Sequence, residues 1–382
     1  MRDNTIETFF ALLRAGLWEK DVRLAQYGEI DYENVLRLSE EQSVVGLVTA
    51  GMEQVADVNV PQEWLLQFIG ETLQIEQQNK EMNVFISELK EKLSNVGIYT
   101  LLVKGQGIAQ CYERPLWRTS GDVDLLLGND NYKKAKAFLI PKAMSVDPEG
   151  IYGKHLGMTI DQWVVELHGR MCCGLSSRTD KVLDEIQKDT FYSGNVRSWD
   201  YNGTQIFMLS AENDAFYVFT HFLSHFYKGG IGLRQICDWC RLLWKYKDTI
   251  KTDMLKSYIK RSGLESEWNT FGAFAVEYLG MSIEAMPLLD VRSQKEDGRC
   301  VIDKRLRRKA ERIKDFIMMS GNFGHNRDMG YYDKYPYLVR KVISLGRRCG
   351  DLFRHARIFP LDSIRFSFWI MLNGVRSAMR GE

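Results

Sequence analysis

The chain has 382 residues, 45% of them hydrophobic and 12% aromatic, enough for two or three domains that each bury a core. Its 51 Lys and Arg nearly balance 50 Asp and Glu, so the net charge of +1 supplies no global field for nucleic acid or an acidic partner. The opening MRDNTIETFF does not read as a secretory leader, no run of about 18 apolar residues occurs, and seven cysteines form an odd, scattered set; a cytoplasmic protein with reduced thiols is expected.

Residues 1–95 are predicted to be a helical region. Apolar residues recur at three- and four-residue spacing through VLRLSEEQSVVGLVTAGM, and again through a long stretch bounded by Pro61 and by Asn95-Val96-Gly97. From residue 96 to 205 the pattern changes: IYTLLVK reads as a strand, GQGIAQCYE as a helix opening, DVDLLL as a second strand and NYKKAKAFLI as a helix. KHLGMTI and QWVVELHG then read as a hairpin turning around Asp161. Residues 206–382 return to helices, with Ser210 as N-cap of AENDAFYVFTHFLSHFYK, Gly229-Gly230 as its stop and IGLRQICDWCRLLWKYK as the next. The fold class is therefore α+β: a small mixed sheet flanked by helices, with helical regions before and after it.

Within GDVDLLL, Asp122 and Asp124 are two residues apart on a strand, so they share a face with Cα atoms roughly 6.6 Å apart. Two hard carboxylate ligands, completed by substrate phosphates and water, are the usual way a protein holds Mg²⁺. Gly121 and Ser120 precede the pair and leave room for a triphosphate near the backbone. Glu166, inside the apolar WVVELHG, is a candidate third ligand, because a carboxylate buried among apolar neighbours needs a partner or a metal.

Together, LLVKGQGIAQCYERPLWRTSGDVDLLL, VVELHG and HFLSHFYKGGIGLRQICDW resemble the uncharacterised nucleotidyltransferases of bacteria, a family within the DNA polymerase beta-like superfamily; the likeness covers roughly residues 40 to 245. It implies that Asp122, Asp124 and Glu166 bind Mg²⁺ or Mn²⁺ and carry catalysis. It also implies that Lys104, Gly105, Arg118, Ser120 and Gly121 cradle an NTP, with His168 on the face of Glu166 as a phosphate contact. Gln106 stands where the superfamily turn usually has serine. The implied reaction is transfer of a nucleoside monophosphate to an acceptor hydroxyl with release of pyrophosphate; a small molecule, sugar or protein acceptor is expected rather than a long nucleic acid.

His221 and His225, one helical turn apart, and Arg234 and Asp238, also four apart, are candidates for the acceptor side of the cleft, with a polar helix surface as the equal alternative. A zinc-protease reading of the histidines fails at Phe222, and Cys237 and Cys240 read as ordinary helix cysteines. KRLRRKAERIK reads as a solvated helix face, and IRFSFWIMLNGVRSAMR as core packing rather than a peripheral membrane contact. The rival functional readings are an inactive nucleotide-binding scaffold and a helical interaction protein at a membrane surface.

Overall fold

The computed structural model describes residues 4–150, 155–290, 302–321 and 335–379. Its N-terminal helices are α1 (Asn4–Trp18), α2 (Tyr32–Glu41), α3 (Val45–Met52) and the 34-residue α4 (Gln62–Asn95). The apolar periodicity through 35–52 is interrupted between α2 and α3, where Ser43 takes φ +55°. The break is also the site of a long-range contact. Gln42 accepts Leu233 N–H on its side chain at 3.0 Å and Arg234 N–H on its carbonyl at 3.4 Å, satisfying the first amides of a helix almost two hundred residues away.

Next come β1 (Leu101–Val103), the five-residue α5 (Gly105–Ala109), β2 (Asp122–Leu126), α6 (Asn129–Leu139), β3 (Ser145–Val146), β4 (His155–Ile160) and β5 (Trp163–His168). The sheet order is β1-β2-β5-β4-β3, with β2 parallel to β5 and the other pairings antiparallel. Side-chain alternation divides its faces. Val123, Leu125, Val165, Leu167, Leu156 and Met158 are buried against Phe85, Ile86 and Leu89 of α4 and Ala135 and Leu139 of α6. Asp122, Asp124, Glu166 and His168 therefore project from the other face, and Glu166 is not embedded in the apolar layer.

Beyond the sheet run α7 (Ser177–Ser193), β6 (Val196–Tyr201) and β7 (Thr204–Leu209), the last two forming a hairpin. The expected sequence reading did not include this hairpin, although its signal is present: alternating apolar residues flank Asn202-Gly203, both at positive φ, as a two-residue turn requires. Helices α8 (Ala211–Lys228), α9 (Leu233–Lys245), α10 (Thr252–Ser262) and α11 (Glu265–Leu279) follow. Rings from three of them, Phe219, Phe222, Trp239, Trp268 and Phe271, interlock edge-to-face at the centre of this half.

The described chain ends in α12 (Lys304–Ser320), α13 (Tyr337–Ala356) and α14 (Pro360–Met379). The basic stretch at 304–314 is an amphipathic face: Ala310 and Ile313 are buried, while Arg305, Arg307, Arg308 and Arg312 are exposed. The C-terminal stripe divides. Among its described side chains Phe366 is fully buried, but Ile364 and Phe368 stand exposed, so core packing accounts for only part of those. Among the described residues, no helix is long and apolar enough to cross a membrane.

Candidate active site on the polar face of the sheet

The parallel pairing of β2 with β5 places Asp124 opposite Glu166 in register. One carboxylate oxygen from each of Asp122, Asp124 and Glu166 lies within 4.8 Å of the others. Three like charges this close repel, and the neighbouring side chains show how the repulsion is offset. Lys104 Nζ lies 2.7 Å from Asp124 Oδ1, and His168 Nε2 lies 2.6 Å from the same oxygen. His155 Nε2 is 3.0 Å and His168 Nε2 3.5 Å from Glu166 Oε2.

These contacts set the proton affinities. The hydrogen bond from His155, then that from His168, holds the Glu166 carboxyl well below the usual carboxylate range despite partial burial. Asp122 moves the other way, raised by burial and by the charge of Asp124. Burial alone would lower His168, but its hydrogen bonds to Asp124 and Glu166 outweigh that and raise it. Lys104 is likewise disfavoured by burial but raised by Asp124, so the ammonium persists.

Lys104 occupies a strained backbone position, φ +57° and ψ −149°, between β1 and α5. Such a conformation in a residue with a Cβ costs on the order of 1–3 kcal/mol and persists only where the surroundings enforce it. Gly105 follows at φ +42°, where a Cβ would approach the Asp122 carbonyl oxygen to 3.3 Å. Gln106 points inward, donating to Asn79 Oδ1 at 2.5 Å and to Ser120 Oγ at 3.2 Å. Ser120 also accepts from Arg118 Nη1 at 2.7 Å and is buried, whereas the space beside Gly121 is open.

Arg118 is tied across the cleft to Asp238 of α9, with Nε–Oδ1 2.8 Å and Nη2–Oδ2 2.7 Å, and the Tyr112 hydroxyl donates to the same carboxylate at 2.7 Å. This bidentate pair ties the loop before β2 to α9. A cavity of about 60 Å³ lies between the sheet and the helices, lined on the sheet side by Lys104, Gly105, Arg118, Asp122 and Asp124. His221, Phe222, Arg234 and Asp238 line it from α8 and α9.

Arg234 Nη1 donates to the Thr119 carbonyl at 2.7 Å, whereas its buried Nε has no hydrogen-bond partner. Burial, then repulsion from Arg118, lowers its pKa. His221 and His225 lie with Nε2 atoms 3.1 Å apart. Burial and the positive charge nearby keep both neutral, His221 far below the ordinary imidazole value and His225 down to about 4. His225 does not line the cavity. Cys237 and Cys240 are buried free thiols inside α9.

The structure therefore gathers Lys104, Gly105, Asp122, Asp124, Glu166 and His168 around one point, with Arg118, His221, Arg234 and Asp238 around the adjoining cavity. His155 escaped the sequence reading. Its signal was the tight turn at Asp161-Gln162, which fixes Ile160 opposite Trp163 and so His155 opposite His168.

The donor set suits a divalent cation: three hard carboxylates converge, and a bound ion would take over from the Lys104 ammonium at Asp124, freeing it for a phosphate. No curated protein matches the chain. A crystal structure of an antigenic nucleotidyltransferase-like protein from Paracoccidioides brasiliensis aligns with 53% of this chain and 94% of its own, at 14% identity and a TM-score of 0.31. That likeness is too slight to carry any part of the reading. A family model described as uncharacterised nucleotidyltransferase matches residues 28–280, a wider span than the motifs around the sheet; the chain belongs to that family.

Proposed function

We propose that the protein transfers a nucleoside monophosphate from an NTP to the hydroxyl of a small-molecule, sugar or protein acceptor. The observation that carries this reading is the convergence of Asp122, Asp124 and Glu166 on one sheet face, beside a cavity that Lys104, Arg118 and Arg234 also line. Family membership supports nucleotidyl transfer in general and an NTP as substrate. Mg²⁺ or Mn²⁺ held by the three carboxylates would lower the pKa of the acceptor hydroxyl and neutralise the leaving pyrophosphate.

The acceptor oxygen forms a bond to the α-phosphorus, the bond from that phosphorus to the bridging oxygen breaks, and pyrophosphate leaves with the electron pair. The hydroxyl proton needs an acceptor. With the three carboxylates engaged by the ion, the proton passes from the metal-activated hydroxyl to solvent or to a free carboxylate oxygen of the set. Lys104, at the turn before Gly105, and Arg234, with its unpaired Nε, supply the cationic groups for the phosphates. Arg118, which lines the cavity and bonds both Ser120 and Asp238, holds α9 to the loop before β2.

The test follows pyrophosphate release from each of the four NTPs with Mg²⁺ or Mn²⁺, in wild type and in Asp122→Asn and Asp124→Asn, with candidate acceptor pools. Turnover that requires both aspartates supports the proposal. Absence of metal-dependent nucleotide binding with all four NTPs refutes it.

A further inference from the structure

Beside the three carboxylates lies a second donor set that nucleotidyl transfer does not require. His155, Glu166 and His168 each offer one ligand atom, and these lie within 4.8 Å of one another. We infer that these three side chains form a binding site for a first-row transition-metal dication of the zinc type, adjacent to the carboxylate site and sharing Glu166 with it.

The spacing supports the assignment. An ion with metal–nitrogen and metal–oxygen bonds of about 2.1 Å in tetrahedral geometry holds its ligand atoms about 3.4 Å apart. Glu166 Oε2 lies 3.0 Å from His155 Nε2 and 3.5 Å from His168 Nε2, near that separation; without metal these are hydrogen bonds, and an entering ion replaces the Nε2 protons, including the one His168 directs at Asp124 Oδ1. The backbone enforces the arrangement. Glu166 and His168 share a face of β5, and His155 is directly opposite His168 on β4. Gly157, opposite Glu166, presents no side chain, and the Asp147 carboxylate fills the space a Cβ would take. His155 is also open to entry, its side chain 42% exposed.

Donor chemistry then separates this site from its neighbour. Two imidazole nitrogens and one carboxylate suit Zn²⁺, Co²⁺ or Fe²⁺, whereas Mg²⁺ prefers oxygen ligands throughout. Two different cations would thus meet at Glu166, and an ion on the histidine side would fix the orientation of Glu166 toward Asp122 and Asp124.

Cobalt reports the site without any nucleotide, so its outcome is independent of whether the protein transfers nucleotides. The metal-free full chain is titrated with CoCl₂, first alone and then with a large excess of Mg²⁺, and visible d–d absorption is followed. The expected result is a saturable band whose affinity falls at least about tenfold in His155→Ala, and which His221→Ala leaves in place. His155 is partly exposed, so its replacement should not unfold the chain, and circular dichroism checks that. Any of four results overturns the assignment: no band, a band that Mg²⁺ abolishes, a band that survives His155→Ala unchanged, or one that disappears in a His221→Ala chain that circular dichroism shows to be folded.

Discussion

Replacing Asp238 by alanine probes the tie between the sheet and the helical half. Arg118 and Asp238 are 5% and 8% exposed at their side chains, so solvent screening gives little relief. The substitution removes the acceptors of Arg118 Nε and Nη2 and of the Tyr112 hydroxyl, leaving Arg118 only Ser120 Oγ and the Thr119 carbonyl. Breaking a buried ion pair from one side costs about 3–5 kcal/mol. The orphaned tyrosine hydroxyl adds about 1 kcal/mol, for a total of roughly 4–6 kcal/mol. At about 2 °C per kcal/mol for a chain of this size, the melting midpoint should fall by roughly 8–12 °C. Urea unfolding of wild type, Asp238→Ala, Arg118→Met and the double variant completes the measurement. Because each single change strands the other partner, the double variant should lose far less than the sum, with a coupling of about 2–3 kcal/mol. A loss below about 1 kcal/mol in Asp238→Ala, or strictly additive effects, would refute the claim that this pair holds the cleft together.

Four further outcomes are expected. Asp124→Asn leaves Lys104 without its charge partner and should cut pyrophosphate release at least about a hundredfold in a coupled colorimetric assay, with the fold checked by circular dichroism. Gly51→Ala should destabilise the chain by about 1–3 kcal/mol in urea, because a Cβ there collides with the Leu12 carbonyl at the crossing of α1 and α3. Gly70→Ala, within α4 with open space around it, should instead stabilise by about 0.5–1 kcal/mol. The pH dependence of melting should have two limbs. The raised His168 contributes fully below its ordinary value of about 6.5 and loses that contribution as pH rises through its higher folded value. The depressed Glu166 contributes above its ordinary value of about 4.3 and loses that as pH falls through its lower folded value. His168→Gln should flatten the alkaline limb and Glu166→Gln the acid limb; scans of the metal-free protein that keep both slopes would contradict the assignment.

Strand and helix periodicities were legible because each rests on a local repeat. The two-residue alternation in DVDLLL and WVVELH put Asp122 with Asp124, and Glu166 with His168, on shared faces before any pairing was known. Helix α4 could be bounded from Pro61 and the Asn95-Val96-Gly97 stop, since capping chemistry acts over one turn. The hairpin β6–β7 is equally legible at Asn202-Gly203, a dipeptide suited to a two-residue turn between alternating strands.

What the sequence by itself determined, then, was the mixed architecture, the acidic pair and its third carboxylate. Tertiary structure alone decided which groups those carboxylates meet. Parallel pairing set Asp124 beside Glu166, and the antiparallel neighbour brought His155 against both Glu166 and His168. The link from Arg118 to Asp238 spans 120 residues, and the one from Gln42 to the first amide of α9 spans 191. Such contacts follow from how apolar faces stack in three dimensions, and no local repeat in the chain encodes them.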